Sequence, residues 1–251
     1  MLATLFLMAA VPAQSAPAPA ATDLDARLDK CIDATAADPV AGEKEAAKWR
    51  TEGGGYRARV CLGVAYANQE RWESSAGALE EAAREAETVK EPRVASYWAQ
   101  AGNAWLGAGK ADKARSALDA ALASGSLTGL ALGEAYLDRA RARVALGDND
   151  GARSDLDRAL TDAAEDPLAW LLSATLARRM NDQQLAKKHI EEALRRSPED
   201  ASVQLEAGNV AALMRDEPGA RAAWARAIEL APGSPQANAA RVALEQFGAE
   251  Q

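Results

Sequence analysis

Small and large apolar residues recur along this chain at helical spacing. Ala186, Ile190, Ala193 and Leu194 stand at i, i+4, i+7 and i+8, which is one face of an α-helix. Trp170 and Ala174 form the same kind of pair just upstream, and Pro198 follows where that second helix must stop. The order then returns with Gly208, Ala220, Trp224, Ala227, Ile228 and Pro232. The step is 34 residues, since 232 − 198 = 34 and 224 − 190 = 34. Small residues let one helix approach the next, and large ones fill the space beside the contact. Asp166-Pro167 and Ser234-Pro235 read as a cap followed by proline in the first helical turn.

Less regular copies precede these two. Leu62, Gly63, Tyr66, Trp72, Leu79 and Ala82 mark one within 56–86, and Trp98, Gly102, Trp105, Gly109, Ala114, Leu118 and Ala121 mark another within 94–124. A third, within 133–162, carries Tyr136, Ala140, Gly147, Ala152, Leu156 and Ala159. The steps Gly63 to Gly102 and Gly109 to Gly147 are 39 and 38, so extra residues are expected near 89–93 and 124–129. One helix pair cannot bury its own apolar face, so the pairs must stack.

The period and the order of residue classes resemble the tetratricopeptide repeat. The resemblance implies an all-α, right-handed superhelical solenoid of stacked antiparallel helix pairs, about five repeats over 56–232. Residues 21–55 would be an N-terminal helical cap or degenerate repeat, broken at Asp38-Pro39, and 233–251 a C-terminal capping helix through Val242, Leu244 and Phe247. The family's role implies a protein or extended peptide as partner, held in the concave groove. First-helix positions then map to Val64, Asn68, Asn103, Arg141, Thr175, Arg178 and Asn209. Arg141 and Arg178 would make a positive strip suited to an acidic side chain or a free C-terminus. In the competing reading those arginines pair with neighbours such as Glu134 and Asp138 and bind nothing. Some relatives clamp a C-terminal carboxylate with Lys, Asn and Arg. Asn103 matches one such asparagine, but Ala99, Asp138, Leu168 and Leu172 replace the others, so that activity is not expected. The alternative function is a structural or accessory subunit of an envelope assembly, using the convex face or the ends, self-association included.

Composition narrows the remaining classes. The 251 residues carry a net charge of −8, against a general nucleic-acid surface. One histidine, His189, and two cysteines leave little for a metal site, and His189 reads as a solvated surface residue. Asp148-Asn149-Asp150-Gly151 lacks the spacing of a calcium loop and reads as a capped turn. Gly53-Gly54-Gly55 lacks the lysine and strand of a phosphate loop and reads as a helix connection. Four tryptophans, Trp98, Trp105, Trp170 and Trp224, read as core, Trp72 as the start of a second helix, and Trp49 is undecided. With no nucleophile or acid–base pair outside the periodicity, neither an enzyme nor a cofactor is expected.

Residues 1–20 read as a signal peptide and Ala/Pro-rich leader, the leader extending to Thr22. Leu2 to Val11 is the apolar run, too short to span a bilayer. No basic residue precedes it, and the other reading is a plain Ala/Pro tail. Export implies the periplasm and no stable membrane anchor. There Cys31 and Cys61 would meet an oxidising compartment as a disulfide between adjacent helix pairs, the alternative being two buried thiols.

Overall fold

A computed structural model describes residues 21–249, so the candidate signal peptide and nearly all of the leader lie outside the described residues. The described chain forms thirteen α-helices and no strand. They are α1 (Ala21–Ala37), α2 (Pro39–Thr51), α3 (Gly55–Ala67), α4 (Trp72–Thr88), α5 (Val94–Gly107), α6 (Ala111–Ala123) and α7 (Gly129–Ala145). Then come α8 (Asn149–Asp162), α9 (Pro167–Arg179), α10 (Gln183–Arg196), α11 (Ala201–Leu213), α12 (Glu217–Leu230) and α13 (Pro235–Ala249). Helix α1 begins at Ala21, one residue before the leader was expected to end.

Each odd helix packs on the even helix that follows it, and first helices also meet across pairs, α1 on α3, α5 on α7, and α9 on α11. The first helices therefore make the inner layer. Within a pair the contact is a small residue facing a large one. A methyl group on Gly63 would lie 2.5 Å from Leu79 Cγ, one on Gly102 2.5 Å from Leu118 Cγ, and one on Gly208 2.4 Å from Trp224. In the two pairs between, Ala140 and Ala174 take the small position and Leu156 and Ile190 the large one.

The turns repeat as strictly as the cores. Gly147, Asn181 and Arg215 adopt positive φ, 34 residues apart, and each precedes an aspartate that caps the next helix. Asp148 accepts from Gly151 N–H, Asp182 from Leu185 N–H and Asp216 from Gly219 N–H. Asp166 and Asp200 cap first helices in the same way, and Ser234 Oγ accepts from Ala237 N–H at 3.1 Å. The longer steps come mainly from α4 and α7, which run 17 residues each where α10 and α9 run 14 and 13. The connections 89–93 and 124–128, where the sequence placed the excess, are only one residue longer than 163–166 and 197–200.

Cys31 of α1 and Cys61 of α3 form a disulfide, with Cα atoms 6.0 Å apart. A polar cluster reinforces the same joint. Asp25 accepts from Arg57 Nε and from Arg93 at 2.7 Å each, and Arg93 Nε also donates to Glu91 at 2.8 Å. The hydrogen bond from Arg57, joined by that from Arg93, holds the Asp25 carboxyl below its usual range. Trp49, undecided from sequence, is buried at 1% exposure with the Arg27 guanidinium over its ring.

Candidate groove on the inner layer

The first helices enclose an open cleft of about 580 Å³ on the inner layer. Val64 and Ala67 of α3, Trp72 and Ser75 of α4, Asn103 of α5 and Arg141 of α7 are among its walls. A smaller, mostly apolar pit of about 170 Å³ adjoins it, lined by Ala140, Val144, Leu156, Leu172, Thr175, Leu176 and Arg179, and Arg141 borders both. Both form because successive first helices present short side chains inward, Ala99, Ala131 and Ala135 in the cleft.

Of the seven groove residues read from sequence, Val64, Asn103 and Arg141 are brought together in the cleft, and Thr175 lines the pit. Thr175 Oγ1 donates to Leu171 O at 2.9 Å, an ordinary helical back-bond. Asn68 is elsewhere: its side-chain N–H donates to Thr35 O at 3.1 Å, tying α3 to the cap. Asn209 donates to Glu206 at 3.1 Å and accepts from Trp224 Nε1 at 3.1 Å, so it braces a repeat core.

The expected positive strip is not present. Arg178 is bound bidentately to Glu206, at 2.6 and 3.1 Å, and Glu206 is 5% exposed. That fork uses two of the five guanidinium N–H donors and compensates the charge of Arg178 with a buried carboxylate. Arg141 donates to Asp138 at 2.8 Å, and Asn103 donates to the other oxygen of the same carboxylate at 2.8 Å. Glu134, expected as another arginine partner, makes no ion pair or hydrogen bond among the described residues and faces the cleft exposed. The charged lining is thus Glu134, Asp138 and Asp166 against Arg141, a formal −3 + 1 = −2.

His189 departs from its sequence reading as well. It is 5% exposed and packs edge-on against Trp170, with ring centroids 5.2 Å apart. Arg153 donates to Ser173 Oγ at 2.6 Å and to Ser173 O at 2.9 Å, and Ser173 Oγ lies 2.8 Å from His189 Nδ1. Ser173 Oγ thus links the Arg153 guanidinium to the imidazole, either hydroxyl or Nδ1 being able to supply the proton of the second bond. Burial, then the neighbouring Arg153 charge, pushes the imidazole down to about 4, so it is neutral at pH 7. Ser173 is fully buried and spoken for, which makes this a structural node and not a nucleophile site. No three of the His, Cys, Asp and Glu side chains among the described residues are grouped to hold a metal ion. No helix among them is long and apolar enough to cross a membrane.

Comparison with known proteins gives the fold a family. The tetratricopeptide repeat profile matches residues 56–127, 137–179 and 171–235. The search of curated proteins gave no match. Among solved structures, PilW, a type IV pilus biogenesis factor, is similar at a TM-score of 0.72 and 15% identity over 86% of this chain and 97% of that one. The Cut9-Hcn1 structure gives a TM-score of 0.67 at 16% identity over 89% of this chain, which spans 42% of the chain it matches. YrrB, described as having an unusual peptide-binding site, gives 0.56 at 17% identity over 73% of this chain and 90% of that one. At these identities the likeness is one of fold.

Proposed function

Because this chain belongs to the tetratricopeptide repeat family, we propose that it is a protein–protein interaction scaffold that holds an extended partner segment in the cleft of its inner layer. The carrying observation is the cleft itself: a 580 Å³ concavity floored by alanines and edged by polar groups from α5 and α7. A rigid array of stacked pairs supplies it without rearrangement, which limits the ordering cost of binding to the partner. Side chains such as Gln100, Asn103 and Ser96 offer donors and acceptors that an extended backbone lacks for itself. An acidic or C-terminal ligand would have to compete with Asp138 or Glu206 for the charge of Arg141 or Arg178, so it stands as the competing outcome.

Export to the periplasm is part of this proposal. Its support is the apolar stretch Leu2 to Val11 together with two cysteines joined as a disulfide, a bond that persists in oxidising compartments. One experiment addresses place and surface together. A photo-crosslinking residue is installed at Ala131 in the cleft or at exposed Arg158 on α8, and adducts are recovered from cell fractions and identified by mass spectrometry. The expected result is one dominant adduct through position 131, in the periplasmic fraction, with the mature chain starting between Gln14 and Ala21. Adducts through 158 alone would move the function to the outer surface. A cytosolic chain retaining Met1 or Leu2 would overturn export.

A further inference from the structure

We propose that the cleft is selective for a basic side chain, arginine or lysine, presented by an extended partner segment, with an aliphatic side chain of the same segment entering the adjoining pit. This rests on the groove reading above and adds the chemical class of the ligand.

Four observations converge. The first is the charge of the lining, −2, on a chain that is itself −8. The one cation lining the cleft, Arg141, is paired with Asp138, so Glu134 is left with no cation of its own among the described residues. The second is Trp72. In this fold Trp49, Trp98, Trp105 and Trp170 each carry a cation of their own over the ring, from Arg27, Arg84, Lys113 and Arg196. Trp72 lines the cleft with no such cation and no hydrogen bond to its indole N–H among the described residues. An indole and an unpaired carboxylate lining one cleft are a setting that a guanidinium or ammonium group can complete, by stacking on the one and ion pairing with the other.

The third is Ser75. Its hydroxyl is fully buried, borders the cleft and has no hydrogen-bond partner. The four later pairs place Ala114, Ala152, Ala186 and Ala220 at the equivalent position, i−4 from Leu118, Leu156, Ile190 and Trp224, as Ser75 is from Leu79. Packing therefore asks for alanine, and the serine leaves a polar atom without a partner that a ligand donor would satisfy. The fourth is the pit, where Ala140, Val144, Leu156, Leu172 and Leu176 make an apolar recess next to the acidic one, with exposed Arg179 at its edge setting the basic side chain to the cleft and the aliphatic one to the pit. Alternate pockets for a charged and an aliphatic side chain give an extended segment both register and direction.

The test uses the full chain and fluorescein-labelled heptapeptides, capped at both ends, with one fixed leucine and a single variable position holding Arg, Lys, Gln or Glu. Anisotropy titrations at low salt are expected to rank Arg and Lys at least tenfold above Glu, with the preference shrinking as sodium chloride is raised. Glu134→Lys, on an exposed position, should erase that preference with helicity and melting temperature unchanged. Ser75→Ala should weaken the Arg peptide several-fold without loss of stability, which a merely structural serine would not do. Equal binding of the Arg and Glu peptides, a preference for Glu, absence of binding by all four, or an unaltered ranking in Glu134→Lys each overturns the basic-ligand proposal. Crosslinks through Ala131 alongside any of those results would leave the groove standing with another ligand class. Crosslinks only through Arg158 would remove the groove itself.

Discussion

His189 shows how a single residue couples burial to pH. Its imidazole is enclosed by Trp170 and Ser173, with Arg153 and Lys188 as cationic neighbours and Asp157 and Asp182 as weaker opposing charges. Its folded pKa of about 4 lies below the ordinary 6.5, so the folded state resists the proton and the unfolded state takes it. Stability from this site is fully present above about pH 6.5 and is lost as pH falls toward 4. The difference corresponds to about 2–3 kcal/mol by pH 4.5. Urea unfolding of the native chain and of His189→Gln, each at pH 7 and pH 4.5, isolates the effect from other carboxylates. The native chain should lose more stability on acidification than the variant by about that amount. Parallel losses in both would mean that His189 titrates normally. The same residue marks a boundary of legibility. Its place after Lys188 on a polar-looking stretch reads as surface, because nothing in the sequence places Arg153 and Ser173, 36 and 16 residues away, against the ring.

At the scale of the element, each pair is a lock between a residue without bulk and one with it. Gly102 on α5 faces Leu118 on α6 so closely that a methyl group would sit 2.5 Å from Leu118 Cγ. Gly102→Ala should therefore cost about 1–3 kcal/mol, although alanine is the better helix former by about 1 kcal/mol. Leu118→Ala should cost less in the Gly102→Ala background than in the native chain, since the two changes share one contact and are not additive. Thermal unfolding of both single variants and the double variant checks this, and a stabilising Gly102→Ala would show that α5 and α6 separate freely. This complementarity is why the pairs could be read from sequence: Gly63, Gly102 and Gly208 and their large partners keep one spacing whatever the loops do. The caps at Asp166 and Ser234 were legible for the same local reason, while Asp38, read only as a break, proves to cap α2. The groove was less so. First-helix register pointed to Val64, Asn103, Arg141 and Thr175, but pairing of Arg178 with Glu206, 28 residues on, depends on how one repeat sits on the next. Ser75 was legible in principle, as the one departure from alanine in its column.

Over the whole molecule, contacts run between neighbours along a line, so stability is local to each stretch of the stack. The apolar core divides accordingly. One continuous cluster runs from Leu28 to Ala142, and three smaller ones, around Leu156, Ile190 and Trp224, follow it. The disulfide and the Asp25–Arg57–Arg93–Glu91 network both fasten α1 to the large cluster, at the end where a linear array would fray first. Joining Cys31 to Cys61 closes a separation of 30 residues, which on chain entropy alone corresponds to about 3–4 kcal/mol. In an all-or-none globule, replacing both cysteines by serine would lower protection everywhere by one amount. In a linear stack it should lower amide protection in α1, α2 and the first turns of α3 by up to that amount and leave α9–α12 unchanged. Native-state hydrogen exchange of the Cys31→Ser, Cys61→Ser double variant, read helix by helix, separates the two. Far-ultraviolet circular dichroism should stay close to native, because α1 and α2 supply 17 and 13 of the helical residues and need only loosen, not melt. A uniform fall in protection from α1 to α12 would show that the thirteen helices unfold as one unit, and the cap would then be stabilising the groove from a distance and not merely sealing one end.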